Sequence, residues 1–344
     1  MRILWLEPLA GVAAEMAPKY LSEHELLVAP APDELPAGWQ EAEAVVWSRW
    51  PIDRAFIEDL PRLRFMQRLG RLRAHGDATA ALERGIPVSV LPHGTSGRVA
   101  EHAFALMLGL SRALLIAHRS VVDGLNPAKL GPEAGEGAHQ PLNWAGLAEP
   151  RSLQFKTVGI TGFGEVGACL ALMLAPLHCR VLYFKRTPLR PQQERFFGVE
   201  RSGLDDLLAA SDTVCNTLPA VEATRGMLGA REFGLMKPSA HFVNVGRGVS
   251  TDEQALYHAL AEGRMAGAGI DVFSIEPLPA GEPIRHLPNV ILTPHIAGGT
   301  PLQAPGGTAG WTDTFERLCE NLRRIEAGKP VLSPMSPQEP QPGA

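Results

Sequence analysis

The chain has 344 residues, 45% of them apolar and 20% charged, which is the balance of an ordinary globular protein with room for two domains. A formal net charge of −5 argues against a nucleic-acid partner, which would call for a basic surplus. No apolar run approaches the ~18 residues of a membrane span, the first residues lack the apolar core of a signal peptide, and four scattered cysteines (Cys169, Cys179, Cys215, Cys319) show no CxxC spacing. They read as reduced thiols of a cytoplasmic protein, with neither a disulfide frame nor a metal site.

Apolar segments alternate with amphipathic ones along the chain, the pattern of an α/β protein built on parallel sheets. Early strands are expected at 2–6, 44–47, 64–69 and 88–90, with helices at 52–60 and 77–84 between them. Residues 96–122 read as one long helix, too apolar for a solvent-facing one, and suited to crossing between domains or packing in a dimer. Residues 123–153, rich in Gly, Pro and Ala, have no clear period and read as a loop or arm. A second α/β series follows, with strands expected at 157–161, 180–184, 213–216, 241–244, 267–271 and 290–292. A last helix is expected over 311–327, stopped by Gly328, and the Pro- and Gln-rich tail 333–344 reads as disordered.

Gly162-Phe163-Gly164-Glu165-Val166-Gly167 follows one of these strands and opens a helix. In that context the glycines allow a tight turn, a close backbone approach to a pyrophosphate and close packing of helix on strand. The free N–H groups of the helix N-terminus favour the phosphates. An acid about twenty residues on would bind the ribose 2′-hydroxyl of NAD, whereas an Arg accommodates the extra phosphate of NADP. This chain has Lys185, Arg186 and Thr187 there. The pair is suited to a 2′-phosphate, so NADP is the preferred cofactor and NAD a possible one; the alternative is two solvated cations at a strand end.

Three later strand ends carry polar residues that a plain scaffold does not need: Arg247 between glycines, Asp271 with Glu276, and His295 before a glycine pair. Ligands of open α/β sheets sit at such ends. The set suits hydride transfer at a carbinol carbon. His295 would serve as proton donor, Glu276 would stabilise its imidazolium, and Arg247 would bind a carboxylate and polarise the neighbouring carbonyl.

Taken together, the motifs give the chain a resemblance to the D-2-hydroxyacid dehydrogenase family, which includes glyoxylate/hydroxypyruvate reductases, phosphoglycerate, phosphite and formate dehydrogenases. The matching stretches include Leu63-Arg-Phe-Met-Gln-Arg-Leu-Gly70, Val99-Ala-Glu-His102, Leu218-Pro219 with Thr224-Arg-Gly226, Asn244-Val-Gly-Arg-Gly248, Gly267-Ala-Gly-Ile-Asp-Val272, Glu276-Pro277 and Thr293-Pro-His295. The resemblance implies two Rossmann-like or flavodoxin-like domains, with a dinucleotide domain (99–299) inserted in a discontinuous substrate domain (1–98 and 300–332). It implies Arg247, Glu276 and His295 as the catalytic set. Gly162 to Gly167, Lys185, Arg186, Thr187, Leu218, Pro219, Thr224 and Asp271 would bind the cofactor, Asp271 at the nicotinamide carboxamide. Leu69, Gly70 and Arg71 would join Arg247 and His295 around the substrate, and a homodimer would form through the dinucleotide domain.

One stretch departs from the family. The loop whose N–H groups would hold the substrate carboxylate reads Gly70-Arg-Leu-Arg-Ala-His-Gly-Asp77, with Leu72 in place of the second glycine and Arg71, Arg73 and His75 added. These bases either welcome a second anionic group or face solvent and Asp77. The leading expectation is an NADPH-preferring reductase of small 2-keto acids such as glyoxylate or hydroxypyruvate. The alternatives are a non-catalytic, dinucleotide-binding regulator of the same fold, or a phosphite- or phosphoglycerate-type dehydrogenase.

Overall fold

The computed structural model describes residues 1–32, 34–72, 77–92, 94–131, 142–148, 151–299 and 308–335. The two α/β series form two parallel sheets. The first comprises β1 (Arg2–Trp5), β2 (Glu25–Val28), β3 (Ala44–Trp47), β4 (Phe65–Leu69) and β5 (Val88–Leu91), in the order β2-β1-β3-β4-β5. Every residue of β3, β4 and β5 is buried, as expected of strands covered on both faces. Helices α1 (Val12–Tyr20), α2 (Arg54–Glu58) and α3 (Thr79–Glu83) connect them.

The second sheet has the order β12-β11-β10-β9-β6-β7-β8, from β6 (Thr157–Thr161), β7 (Arg180–Phe184), β8 (Val199–Arg201), β9 (Thr213–Asn216), β10 (His241–Asn244), β11 (Gly267–Ile270) and β12 (Val290–Leu292). Strand β6 lies between β7 and β9, so the strand order runs outward one way through β7 and β8 and the other way from β9 to β12. A crevice opens at the carboxyl ends of strands at such a switch point. Helices α6 (Glu165–Leu174), α7 (Pro191–Phe197), α8 (Leu204–Ala210), α9 (Ala230–Leu235) and α10 (Glu253–Ala261) connect these strands.

The expected strands agree with the structure to within a residue, and the α/β class holds. The long helix over 96–122 does not. It is α4 (Ser96–Ser111) and α5 (Leu114–Val122), set at 58° to each other, with Ala113 left-handed at φ 50°. The Ser111 carbonyl accepts from Arg151 N at 2.8 Å, so it is engaged by the incoming strap instead of a further helical turn. Helix α4 is packed on α6 and on β10–β12, while α5 leaves Leu114, Val121 and Val122 exposed. The expected arm 123–153 and the crossing after Gly299 lie partly outside the described residues. The final helix, α11 (Thr308–Glu326), packs on α1 and the first sheet, where Phe315, Leu318 and Leu322 join Ile3, Trp5 and Leu21. The expected disorder does not hold at residues 333–335: Val90 N donates to Ser333 O and Met335 N to Val88 O, with Met335 buried. Residues 336–344 lie outside the described set. Among the described residues, no single helix is long and apolar enough to cross a membrane.

Candidate active site

The glycine turn is set by two constraints. Gly162 has φ +83°, and a Cβ on it would lie 2.8 Å from the Leu218 backbone. Only glycine combines that conformation with that approach. The contact brings Leu218 and Pro219, at the end of β9, against the turn that follows β6. Thr224 ties off the Leu218–Pro219 loop, donating from Oγ1 to Pro219 O at 2.5 Å and accepting from Val221 N. Phe163 turns into the core on Tyr183 and Phe197, so it offers the crevice only its backbone. Gly167 is buried against the Phe163 ring, and Val166 is half-buried. Above Gly164 there is room, since a Cβ there would meet nothing nearer than Gly162 O at 3.9 Å. Open space over backbone N–H groups at the start of α6 fits a pyrophosphate.

Beyond β7, Tyr183 Oη donates to Glu194 at 2.7 Å and accepts from Leu189 N at 2.9 Å, framing the turn that carries Lys185, Arg186 and Thr187. Lys185 is half-buried; Arg186 and Thr187 are exposed. Arg186 makes no ion pair with any described residue, so its guanidinium is available to an anion.

The polar strand ends of β10, β11 and β12 meet next to this crevice. Gly248 starts a 3₁₀ turn, and a Cβ there would lie 2.0 Å from the Phe273 carbonyl carbon, so the backbone after Arg247 lies directly against the 273–276 loop. Arg247 is exposed, with Nη1 donating to Gly246 O at 2.7 Å. Glu276 accepts from Phe273 N on one oxygen and meets His295 Nδ1 on the other at 2.6 Å. His295 is left-handed at φ +54° and half-exposed. A cavity of about 460 Å³ opens beside the pair, walled by Phe273, Pro277, Leu292 and Pro294.

Asp271 lies beneath this site. It is fully buried, and its carboxylate accepts from Thr293 Oγ1 at 2.6 Å, Ile296 N at 2.9 Å and Ala297 N at 3.0 Å. His102 Nε2 is bonded to the same Thr293 hydroxyl at 3.0 Å. The segment on either side of His295 is therefore pinned by one carboxylate. His102, read in the sequence only as part of a matching stretch, belongs to this support; its position mid-helix gave no further signal.

Across the crevice, β4 ends in buried Leu69 and in Gly70, left-handed at φ +98°. Arg71 and Leu72 follow, half-buried, with their N–H groups turned to Glu165. Arg73 and His75 lie outside the described residues. Asp77 accepts from Thr79 N and Oγ1 just before α3.

Residues 104–297, more than half of the chain, match the D-isomer specific 2-hydroxyacid dehydrogenase family, NAD binding domain. Glyoxylate/hydroxypyruvate reductase B of Yersinia enterocolitica is 36% identical over 268 residues, 78% of either chain. The NADPH-dependent glyoxylate/hydroxypyruvate reductase of Sinorhizobium meliloti, solved with NADP and malonate, is 26% identical and superposes with a TM-score of 0.53 over 100% of this chain and 99% of that one. A D-isomer specific 2-hydroxyacid dehydrogenase of Xanthobacter autotrophicus, solved with NADPH and MES, gives 26% and 0.53 over 98% of each chain. With a parallel-sheet switch point, an acid-supported histidine and relatives at this level, the chain belongs to the D-isomer specific 2-hydroxyacid dehydrogenase family, oxidoreductases that act on CH–OH groups and bind a nicotinamide dinucleotide.

Proposed function

We propose that the protein is an NADPH-preferring reductase that converts small 2-keto acids, such as glyoxylate or hydroxypyruvate, to D-2-hydroxy acids. The observation that carries this reading is the His295–Glu276 pair at 2.6 Å beside an open cavity. The names of the Yersinia and Sinorhizobium relatives support the substrate class, and Arg186, with no ion pair among the described residues, supports NADPH.

Bound reduced nicotinamide would supply the hydride. The chain supplies the rest. Glu276 takes Nδ1 of His295, so Nε2 is the ring nitrogen left to give a proton to the carbonyl oxygen as it becomes a hydroxyl. The Glu276 charge stabilises the imidazolium from which that proton comes. Arg247 holds the keto-acid carboxylate, with Leu69, Gly70 and Arg71 closing the far wall. Asp271 acts at the nicotinamide carboxamide and, through Thr293, Ile296 and Ala297, sets the direction of His295. The backbone N–H groups of Gly162 to Gly167, with Leu218, Pro219 and Thr224, hold the pyrophosphate end, and Lys185, Arg186 and Thr187 the 2′-phosphate.

Residues 99–299 form the dinucleotide unit in this reading, and 1–98 with 300–332 the substrate unit. A homodimer through the dinucleotide unit would cover the exposed apolar groups Leu114, Val121, Val122, Leu142 and Trp144. The test is oxidation of NADPH and NADH, followed by nicotinamide absorbance, with glyoxylate, hydroxypyruvate, pyruvate, phenylpyruvate and a dicarboxylic keto acid. Faster turnover with NADPH is expected. Dinucleotide binding without turnover of any keto acid would replace this reading with that of a regulator.

A further inference from the structure

The glycine turn and the loop after β4 are joined by a contact that the reaction above does not use. Glu165 is the first residue of α6 and is 5% exposed. Its carboxylate reaches over to the first-sheet unit, where Oε2 accepts from Arg71 N at 2.8 Å and Oε1 from Leu72 N at 2.7 Å. The Leu72 side chain packs on the same core cluster that contains Phe163, Ala168 and Cys169. The 70–72 loop is thus docked on the start of α6 through the Glu165 carboxylate and the Leu72 side chain.

Two physical facts give this contact a consequence. A buried carboxylate is costly unless hydrogen-bonded, and the two adjacent N–H groups of Arg71 and Leu72 offset part of that cost. Glu165 also stands at the helix start where a pyrophosphate would lie, and a carboxylate left facing that position repels the phosphates. Drawn onto the amides of Arg71 and Leu72, the charge is solvated by donors that belong to the other sheet's unit.

We infer that Glu165 is a positioning residue that couples dinucleotide binding to docking of the 70–72 loop. The docked loop holds the Glu165 carboxylate away from the pyrophosphate. By reciprocity, a bound dinucleotide favours the docked loop by the same factor. The substrate wall of Leu69, Gly70 and Arg71 is therefore assembled when the dinucleotide is in place. This inference rests on the dinucleotide reading above and deepens it.

The experiment compares wild type with Glu165→Ala and Glu165→Gln by amide hydrogen exchange at residues 71–72, with and without NADPH. It also measures NADPH affinity by fluorescence and steady-state kinetics with glyoxylate. In wild type, NADPH should slow exchange of those amides by about tenfold or more. In Glu165→Ala, NADPH should bind at least as tightly but no longer protect them, and KM for glyoxylate should rise about tenfold, with a smaller change in kcat. Glu165→Gln should fall between, because one amide N–H meets an acceptor oxygen and the other a donor nitrogen.

Unchanged NADPH protection in Glu165→Ala overturns the coupling, and so does NADPH affinity weakened tenfold, which would mean that Glu165 serves the cofactor directly. Thermal unfolding of the cofactor-free variants separates either result from misfolding. A wild type that binds NADPH but reduces no keto acid would refute the substrate reading, while the exchange measurement still decides the coupling. A wild type that binds no dinucleotide overturns both.

Discussion

His295 combines a backbone that non-glycine residues seldom adopt with a side chain held by Glu276. Replacing it by Gln removes the proton donor and keeps the volume. His295→Gln is expected to lower kcat by roughly 10²–10⁴-fold with NADPH affinity retained, checked by turnover alongside fluorescence titration. A loss of dinucleotide binding instead would place His295 in the cofactor's hold. At the other end of the crevice, Arg186→Glu reverses a charge that has no ion-pair partner among the described residues. With the 2′-phosphate bound there, KM for NADPH rises by about tenfold or more, while KM for NADH changes little. Equal changes for both cofactors would return Arg186 to the role of a solvated cation.

Elements fail or hold by what their ends can bury. Strand β10 begins at His241, where burial, with repulsion from Arg151, pushes the imidazole down to about 4. The folded state resists a proton that the unfolded chain takes up near the ordinary value of 6.5. Stability is therefore intact above pH 6.5 and falls as the pH drops towards 4. The full effect is on the order of 3 kcal/mol. His241→Gln should flatten that acid limb in melts between pH 7 and about pH 4.5; an unchanged slope would assign it to the carboxylates.

The same view of element ends explains what was legible in the sequence. Buried strands such as β3, β6 and β10 were plain because they are short apolar runs between turn signals. So were the strand-end residues Arg247, Glu276 and His295, whose polarity breaks an apolar context. Strand β2 was not, because it is an edge strand with no fully buried residue, and β8 has three residues. Helix α1 carries Pro18, which reads as a stop. The break before α5 falls at Ala113, with no Gly or Pro to mark it, and depends on Arg151, forty residues away in sequence. The Glu165 contact was hidden for the same reason: it joins two units whose relative placement no local pattern encodes.

At the scale of the whole molecule, the C-terminal segment completes the first sheet. Arg98, at the start of α4, makes a bidentate pair with Asp313 on α11 at 2.6 and 2.7 Å, joining the two helices where the chain passes between units. Deeper in, Asn321 is fully buried, and its amide nitrogen donates to Gln67 Oε1 and Ser89 Oγ, each at 3.0 Å. Its oxygen accepts from Leu332 N at 2.6 Å, while Ser89 Oγ donates to Leu332 O at 2.7 Å. One side chain thus ties α11 to β4, to β5 and to the strap that follows the helix. Asn321→Ala would strand the buried Gln67 oxygen and leave the half-buried Leu332 amide without its acceptor, a buried unmet group being worth about 1–3 kcal/mol. A loss of about 2–4 kcal/mol is expected in denaturant unfolding followed by tryptophan fluorescence, since Trp5 and Trp311 lie 6.1 Å apart in the α11 cluster. NADPH affinity should survive, because its proposed residues all lie on the second sheet. If affinity fell in step with stability, the two units would have to be a single cooperative body, and α11 would support the dinucleotide site as directly as it supports the first sheet.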